Sequence, residues 1–235
     1  MEVEWFTVTF ALYKRVFSRA ITLALKNWPV MGSVLIYSLA MSVAAVVAAP
    51  LGFMGGFMVT LVWAACVSSF LYLVEMMIRT SKVSWSDFRR SFGAYLWDVV
   101  GLMFIFWLFS MFAWPIVISL PQGAVILLCI ELAVFILFNA VPELIYLGHH
   151  SSLALLAESY SFISANWIEW FPATIVAGAV FFCVMSLPVG AELFYLKYAF
   201  AGLVAYFAMV MRGLLFMELA GSSRRARAFR YRAGS

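Results

Sequence analysis

Charge is what this chain has least of. Of its 235 residues only 11% are Asp, Glu, Lys or Arg, against 66% apolar, whereas a soluble domain carries roughly 25% charge. Polar groups are too few to cover the folded chain, so lipid must cover it. Cysteine is nearly as scarce: Cys66, Cys129 and Cys183 sit in three different apolar runs, none with a second Cys or a His at ligand spacing. That leaves zinc and iron–sulfur readings without support and argues against a disulfide framework; each thiol reads better as a small buried hydrophobe. Catalytic signatures are missing too. The chain has no G-x-S-x-G, H-E-x-x-H, Walker A or G-x-G-x-x-G, so it reads as non-enzymatic, and no cofactor is expected. Its start, Met-Glu-Val-Glu, is acidic and leads to no short apolar core with a small-residue cleavage site. A cleaved signal peptide is therefore not expected.

Long apolar runs are what the chain has in place of these. A membrane helix needs about 20 apolar residues. Six runs qualify: Trp28–Ala49, Gly52–Ile78, Leu96–Leu120, Gly123–Leu147, Trp167–Leu187 and Tyr198–Leu219. They group in pairs, each joined by a Pro-x-Gly turn at Pro50-Leu51-Gly52, Pro121-Gln122-Gly123 and Pro188-Val189-Gly190. Proline fixes its own φ and glycine permits φ > 0, which suits a tight reversal. The prolines stand 71 and 67 residues apart, the steady period of an internal repeat.

The stretch before each pair also recurs. In 5–26, Phe6, Phe10, Tyr13, Phe17 and Ala20 recur at helical spacing, opposed by Lys14, Arg15, Ser18, Arg19 and Lys26. In 84–95, Trp85, Phe88, Phe92 and Tyr95 oppose Asp87, Arg90 and Ser91, with Ser84 and Asp87 spaced as a helix start. In 151–166, Leu153, Leu156 and Tyr160 oppose Ser152, Glu158 and Ser159. Such helices, too charged to span, lie in the interface plane. Each then reaches a Trp (Trp28, Trp97, Trp167) at the start of a span. The expected fold is an all-α integral membrane protein of six transmembrane helices. It is built as three repeats of interfacial amphipathic helix plus transmembrane hairpin, about 1–80, 81–148 and 149–221. Together these form one transmembrane domain over 1–221, with a basic tail over 222–235.

The charges orient it. Every Lys and Arg except Lys197 falls on one side of this six-span arrangement, and short loops rich in Lys and Arg stay cytoplasmic. Both termini are therefore expected inside, in a bacterial inner membrane. Lys14, Arg15, Arg19, Arg89, Arg90 and the tail arginines Arg224, Arg225, Arg227, Arg230 and Arg232 are expected to meet anionic lipid headgroups. At about 1 kcal/mol per basic residue, lipid accounts for this tail without nucleic acid.

Ionisable groups inside a bilayer are costly and so are candidates by default. Glu131 lies about eight residues, ~12 Å of helix, from its outer turn. It reads first as a carboxyl locking its helix to neighbours and second as a proton or cation site. Glu143 and Arg212 lie near the cytoplasmic ends of their spans and suggest an ion-pair clasp, with Glu75 a rival partner unless Arg79 occupies it. Asp98 and Glu169 read as ordinary acids near helix starts. His149-His150 reads as a wet loop, since adjacent residues share no helical face and no metal ligand stands at spacing.

Val141-Pro142-Glu143-Leu144-Ile145-Tyr146, then Ser151-Ser152-Leu153-Ala154-Leu155-Leu156-Ala157-Glu158-Ser159 and Ile163-Ser164-Ala165-Asn166-Trp167, resembles a family pattern. It is similar to bacterial membrane proteins grouped around the membrane domain of glycerophosphodiester phosphodiesterases. Ser159 and Asn166 fit the spacing; Leu155 stands where the family often has Ala, and the usual basic residues are missing. The resemblance covers the last two spans and the segment before them. It implies a helical bundle with interfacial helices and no activity, because the catalytic domain of those enzymes is a separate soluble unit. Mitochondrial carriers also repeat a two-span unit three times, but the Pro-x-acid-x-x-basic signature is absent from these turns.

The function expected is a non-catalytic accessory or scaffold subunit contacting lipids and partner membrane proteins. The alternatives are a transporter component with Glu131, Glu143 and Arg212 lining a path, and a lipid-acting enzyme using Glu158, Glu169 or His150.

Overall fold

The computed structural model describes residues 2–148, 152–188, 190, 193–222, 226–227 and 229. Nine α-helices account for nearly all of them, with no strand among the described residues: α1 (Glu2–Lys26), α2 (Ser33–Ala48), α3 (Gly52–Thr80), α4 (Trp85–Ala94), α5 (Leu96–Ile118), α6 (Gly123–Leu137), α7 (Val141–Leu147), α8 (Ser152–Ser186) and α9 (Phe194–Ala220). Five stretches are long and apolar enough to cross a membrane: Trp28–Thr80, Trp85–Ile118, Gly123–Leu147, Leu153–Ser186 and Leu196–Ala220. The first runs 53 residues and holds both α2 and α3. This is the architecture of a helical membrane protein.

Breakers decide where the helices stop. After α1, Pro29 denies the next turn a donor, and a short 3-10 turn over Trp28–Gly32 separates α1 from α2. Ahead of α4, Ser84 and Asp87 form the expected reciprocal cap. The Ser84 amide donates to Asp87 Oδ2 at 2.8 Å and the Asp87 amide to Ser84 Oγ at 3.3 Å. The third amphipathic stretch is not a separate helix. α8 runs unbroken from Ser152 to Ser186, 35 residues, because neither Gly nor Pro interrupts the chain around Asn166-Trp167. The expected span Gly123–Leu147 is broken instead. Pro142 has no N–H for Phe138, and Val141 donates to Phe138 at 3.1 Å, so α6 ends and α7 begins. That leaves the Leu137 carbonyl without its usual donor, and Ser159 Oγ supplies one at 2.9 Å.

The turns divide their labour differently from expectation. Gly52 takes the left-handed conformation with φ +54°. At the second turn Gln122 takes it, φ +62°. Gly123 is required there for another reason: a Cβ on it would stand 2.2 Å from the Val117 carbonyl oxygen. In the third turn Val189 lies outside the described residues.

The chain forms two compact units. One comprises Met1–Leu39, Leu73–Asp87 and Asn166–Ser235, the other Ala40–Tyr72 and Phe88–Ala165. In the first, α1 packs along α9, burying Leu12, Val16, Ala20, Leu23 and Ala24. This stripe lies beside the aromatic one read from the sequence: Phe10 and Phe17 are exposed, and only the backbone of Phe6 is described. Helices in lipid gain little from excluding water, so close approach of small residues matters most. Gly202 of α9 does this, since a Cβ there would stand 2.6 Å from Val34 Cγ1. In the second unit α5 packs against α6, while Phe104, Trp107, Phe112 and Trp114 remain exposed.

Candidate functional site

A dense polar arrangement of the first unit surrounds α8 at Pro172. In a regular helix the Ala173 N–H is directed at the Glu169 carbonyl. Here the Tyr13 hydroxyl of α1 bridges those two groups, donating to Glu169 O at 2.6 Å and accepting from Ala173 N at 3.2 Å. Pro172, inside the helix, supplies no donor of its own. A side chain inserted into a helix ladder at a proline is a recognised way of re-satisfying the freed groups. Burial, eased by the Ala173 bond and reinforced by the Glu169 charge, pushes the Tyr13 phenol up to about 12.

Three charged groups gather around the same segment. Glu169 is 2% exposed and receives Arg227 of the C-terminal segment at 3.5 Å. Arg227 also donates to the Ser222 carbonyl. Arg212 lies over the indole of Trp170, 4.9 Å from its centroid, and donates to Thr174 at 3.5 Å. Trp170 is wholly buried, with Phe216 edge-on at 6.3 Å. The cation on the ring face and the buried acid–arginine pair tie α8, α9 and the chain after α9 together.

A second polar knot lies in the other unit. Ser68, Ser69 and Ser91 are fully buried. Ser69 and Ser91 hydroxyls meet at 2.5 Å, Ser68 donates to the Ser91 carbonyl at 3.1 Å, and the Tyr95 amide donates back to Ser68 at 2.9 Å. Ser91 is thus the packed face of α4, where its amphipathic pattern assigned it to the polar side. The small hydroxyl lets α4 approach α3 closely, and every donor there finds an acceptor. In the first unit Asn27 plays a similar part: its amide donates to Leu23 at 2.9 Å and its carbonyl accepts from Val83 at 3.1 Å. The Asn before a Trp has a structural duty here.

The sequence-derived candidates fall as follows. Glu75 is held by Arg79 one turn along, at 2.9 Å. Glu143 is wholly buried in α7. Glu131 is exposed on α6, on a face shared with Leu128, Leu132 and Phe135. Lys14, Arg15, Arg19, Arg89 and Arg90 are exposed. Arg227 departs from expectation: it is 8% exposed and paired with Glu169, a buried contact in place of a lipid headgroup. Glu169 likewise is no ordinary interfacial acid. His149, His150, Arg224, Arg225, Arg230 and Arg232 lie outside the described residues. Cys66 is buried as expected, but Cys129 and Cys183 are exposed on apolar helices. Among the described residues no three His, Cys, Asp or Glu side chains gather as metal ligands.

Sequence reasoning missed Tyr13, whose hydroxyl was hidden in an aromatic stripe, and the serine knot, whose members read as polar-face residues. A Pro inside an apolar run is the signal that points to the first. No family model, curated protein or solved structure matches the chain.

Proposed function

We propose that this chain is a non-catalytic accessory or scaffold subunit of a bacterial inner membrane, contacting anionic lipids and partner membrane proteins. Glu131 carries the reading. It sits about two turns inside an apolar helix, on an exposed face of α6. An ionised acid facing lipid at mid-span costs about 3 kcal/mol on insertion scales. A donor on a neighbouring transmembrane protein relieves that cost. The apolar residues around it, Leu128, Leu132 and Phe135, give such a neighbour a surface. The buried serines Ser68, Ser69 and Ser91, Asn27 and the Glu169–Arg227 pair hold helices together, which suits a scaffold better than an active site.

The same reading takes α2 and α3 as two spans. That gives six in all, three hairpins each preceded by an amphipathic stretch, with both termini cytoplasmic. The family resemblance agrees with a bundle of this kind. A transporter path would need Glu131 and Glu143 on one surface, yet one is exposed and the other fully buried.

Photocrosslinking from position 128 or 132 in native membranes tests the proposal, followed by mild-detergent purification and mass spectrometry. A discrete membrane-protein adduct is expected, and Glu131→Ala should reduce co-purification about 5- to 30-fold, the worth of one polar contact between membrane helices of ~1–2 kcal/mol. Adducts to lipid alone, with the chain purifying by itself, would overturn it.

A further inference from the structure

An apolar groove of about 640 Å³ runs along the first unit between α1, α8 and α9. Phe17 of α1, Ala173, Ala177 and Val180 of α8, and Val204 and Ala208 of α9 form its walls. Its size falls within the roughly 300–1,000 Å³ of small-ligand pockets. Its polar hydroxyl, that of Tyr13, is turned into the α8 ladder. The alanines are what hollow it: a larger residue at 177 or 208 would fill the space. Two of its walls belong to stretches able to cross a membrane, so the fluid reaching it is hydrocarbon.

The two ends differ in charge. The end marked by Pro172, Ala173 and Met211 is where Tyr13 is anchored, which brings the exposed Lys14 and Arg15 with it. Arg212 follows Met211 and stands one turn beyond Ala208 on the same helix. Glu169, the acid at that end, is already neutralised by Arg227. Val180 and Leu203 mark the other end of the groove, where its lining is apolar.

We infer that this groove holds one acyl chain of an anionic phospholipid, with the phosphate at the Lys14–Arg15 end. The inference shares with the proposed function the lipid surroundings of these helices and requires no protein partner.

The test uses the full chain in vesicles of phosphatidylcholine doped with a phosphatidylglycerol whose acyl chain carries a diazirine, then with the matching diazirine phosphatidylcholine. Labelled peptides are mapped by mass spectrometry. The phosphatidylglycerol probe should label Val176–Val180 and Leu203–Ala208 several-fold more than the exposed face of α5, and the phosphatidylcholine probe should not. Ala177→Phe or Ala208→Phe should abolish the excess; Lys14→Gln with Arg15→Gln, each charge worth about fivefold in affinity, should bring it down to the α5 level. Equal labelling of groove and α5 in the unaltered chain would overturn the inference whatever the variants do. So would equal labelling by the two probes. A chain that purifies without partners yet labels in the groove would refute the scaffold reading alone.

Discussion

Tyr13→Phe isolates one hydroxyl while keeping the ring. In the structure that hydroxyl serves two backbone groups of α8, the Glu169 carbonyl at 2.6 Å and the Ala173 amide at 3.2 Å. Its loss leaves both to find each other across a ladder shaped by Pro172. A buried polar group left unmade costs about 1–3 kcal/mol. Polar contacts between membrane helices measure nearer 0.6 and at most about 1.7 kcal/mol. Partial reclosure of the Ala173–Glu169 bond points to the lower range, so a loss of about 1–1.5 kcal/mol is expected. The assay is reversible unfolding by SDS titration in mild detergent, followed by helical circular dichroism. Pro172→Ala restores a donor and lets the ladder close directly; in that background Tyr13→Phe should cost less, with a coupling of about 0.5 kcal/mol or more. Equal costs in both backgrounds would refute the idea that the hydroxyl repairs the proline break. The sign with pH follows from the raised phenol. Below pH 10 both folded and unfolded chains keep it protonated, so its contribution is level; between 10 and about 12 the unfolded chain ionises first, and stability falls.

Ser91→Leu should destabilise by about 1–3 kcal/mol through overpacking against Ser68 and Ser69, while Ser91→Ala should cost about 1 kcal/mol; the same titration measures both. Gly202→Ala forces a methyl toward Val34 and should cost about 1 kcal/mol, largely restored by Val34→Ala; a loss that Val34→Ala leaves untouched would contradict the close approach. In a background whose native cysteines are replaced, an impermeant thiol reagent applied to intact cells should label Pro121→Cys and spare Ser81→Cys; the reverse pattern would invert the proposed orientation.

What the sequence revealed and what it hid have physical reasons. The Ser84–Asp87 cap was legible because both partners lie within three residues and the pairing is local. Helix breaks were legible where a breaker stood, at Pro29 and Gly52. The amphipathic pattern of 151–166 looked like a separate helix, yet periodicity alone does not end a helix, and α8 continues. The break at Pro142 was available to the eye but hidden inside an apolar run long enough to span. Hydropathy also misassigned Ser91, because a scale that counts a hydroxyl as polar cannot see the two other hydroxyls waiting for it. Arg227 was unreadable for a different reason: its partner Glu169 is 58 residues away, and a basic tail otherwise looks like a lipid-binding one.

The placement of Tyr13 also bears on the order in which the protein is made. Its two partners in α8 lie 156 and 160 residues later in the chain, and Phe17 meets Phe207 of α9. At a translation rate of roughly 5–20 residues per second, α1 waits on the order of ten to thirty seconds for these partners to be synthesised. Until then its stripe of Leu12, Val16, Ala20 and Leu23 has only the membrane surface to lie on. Of the nine helices α1 is made earliest, yet it is among the last to reach its final contacts.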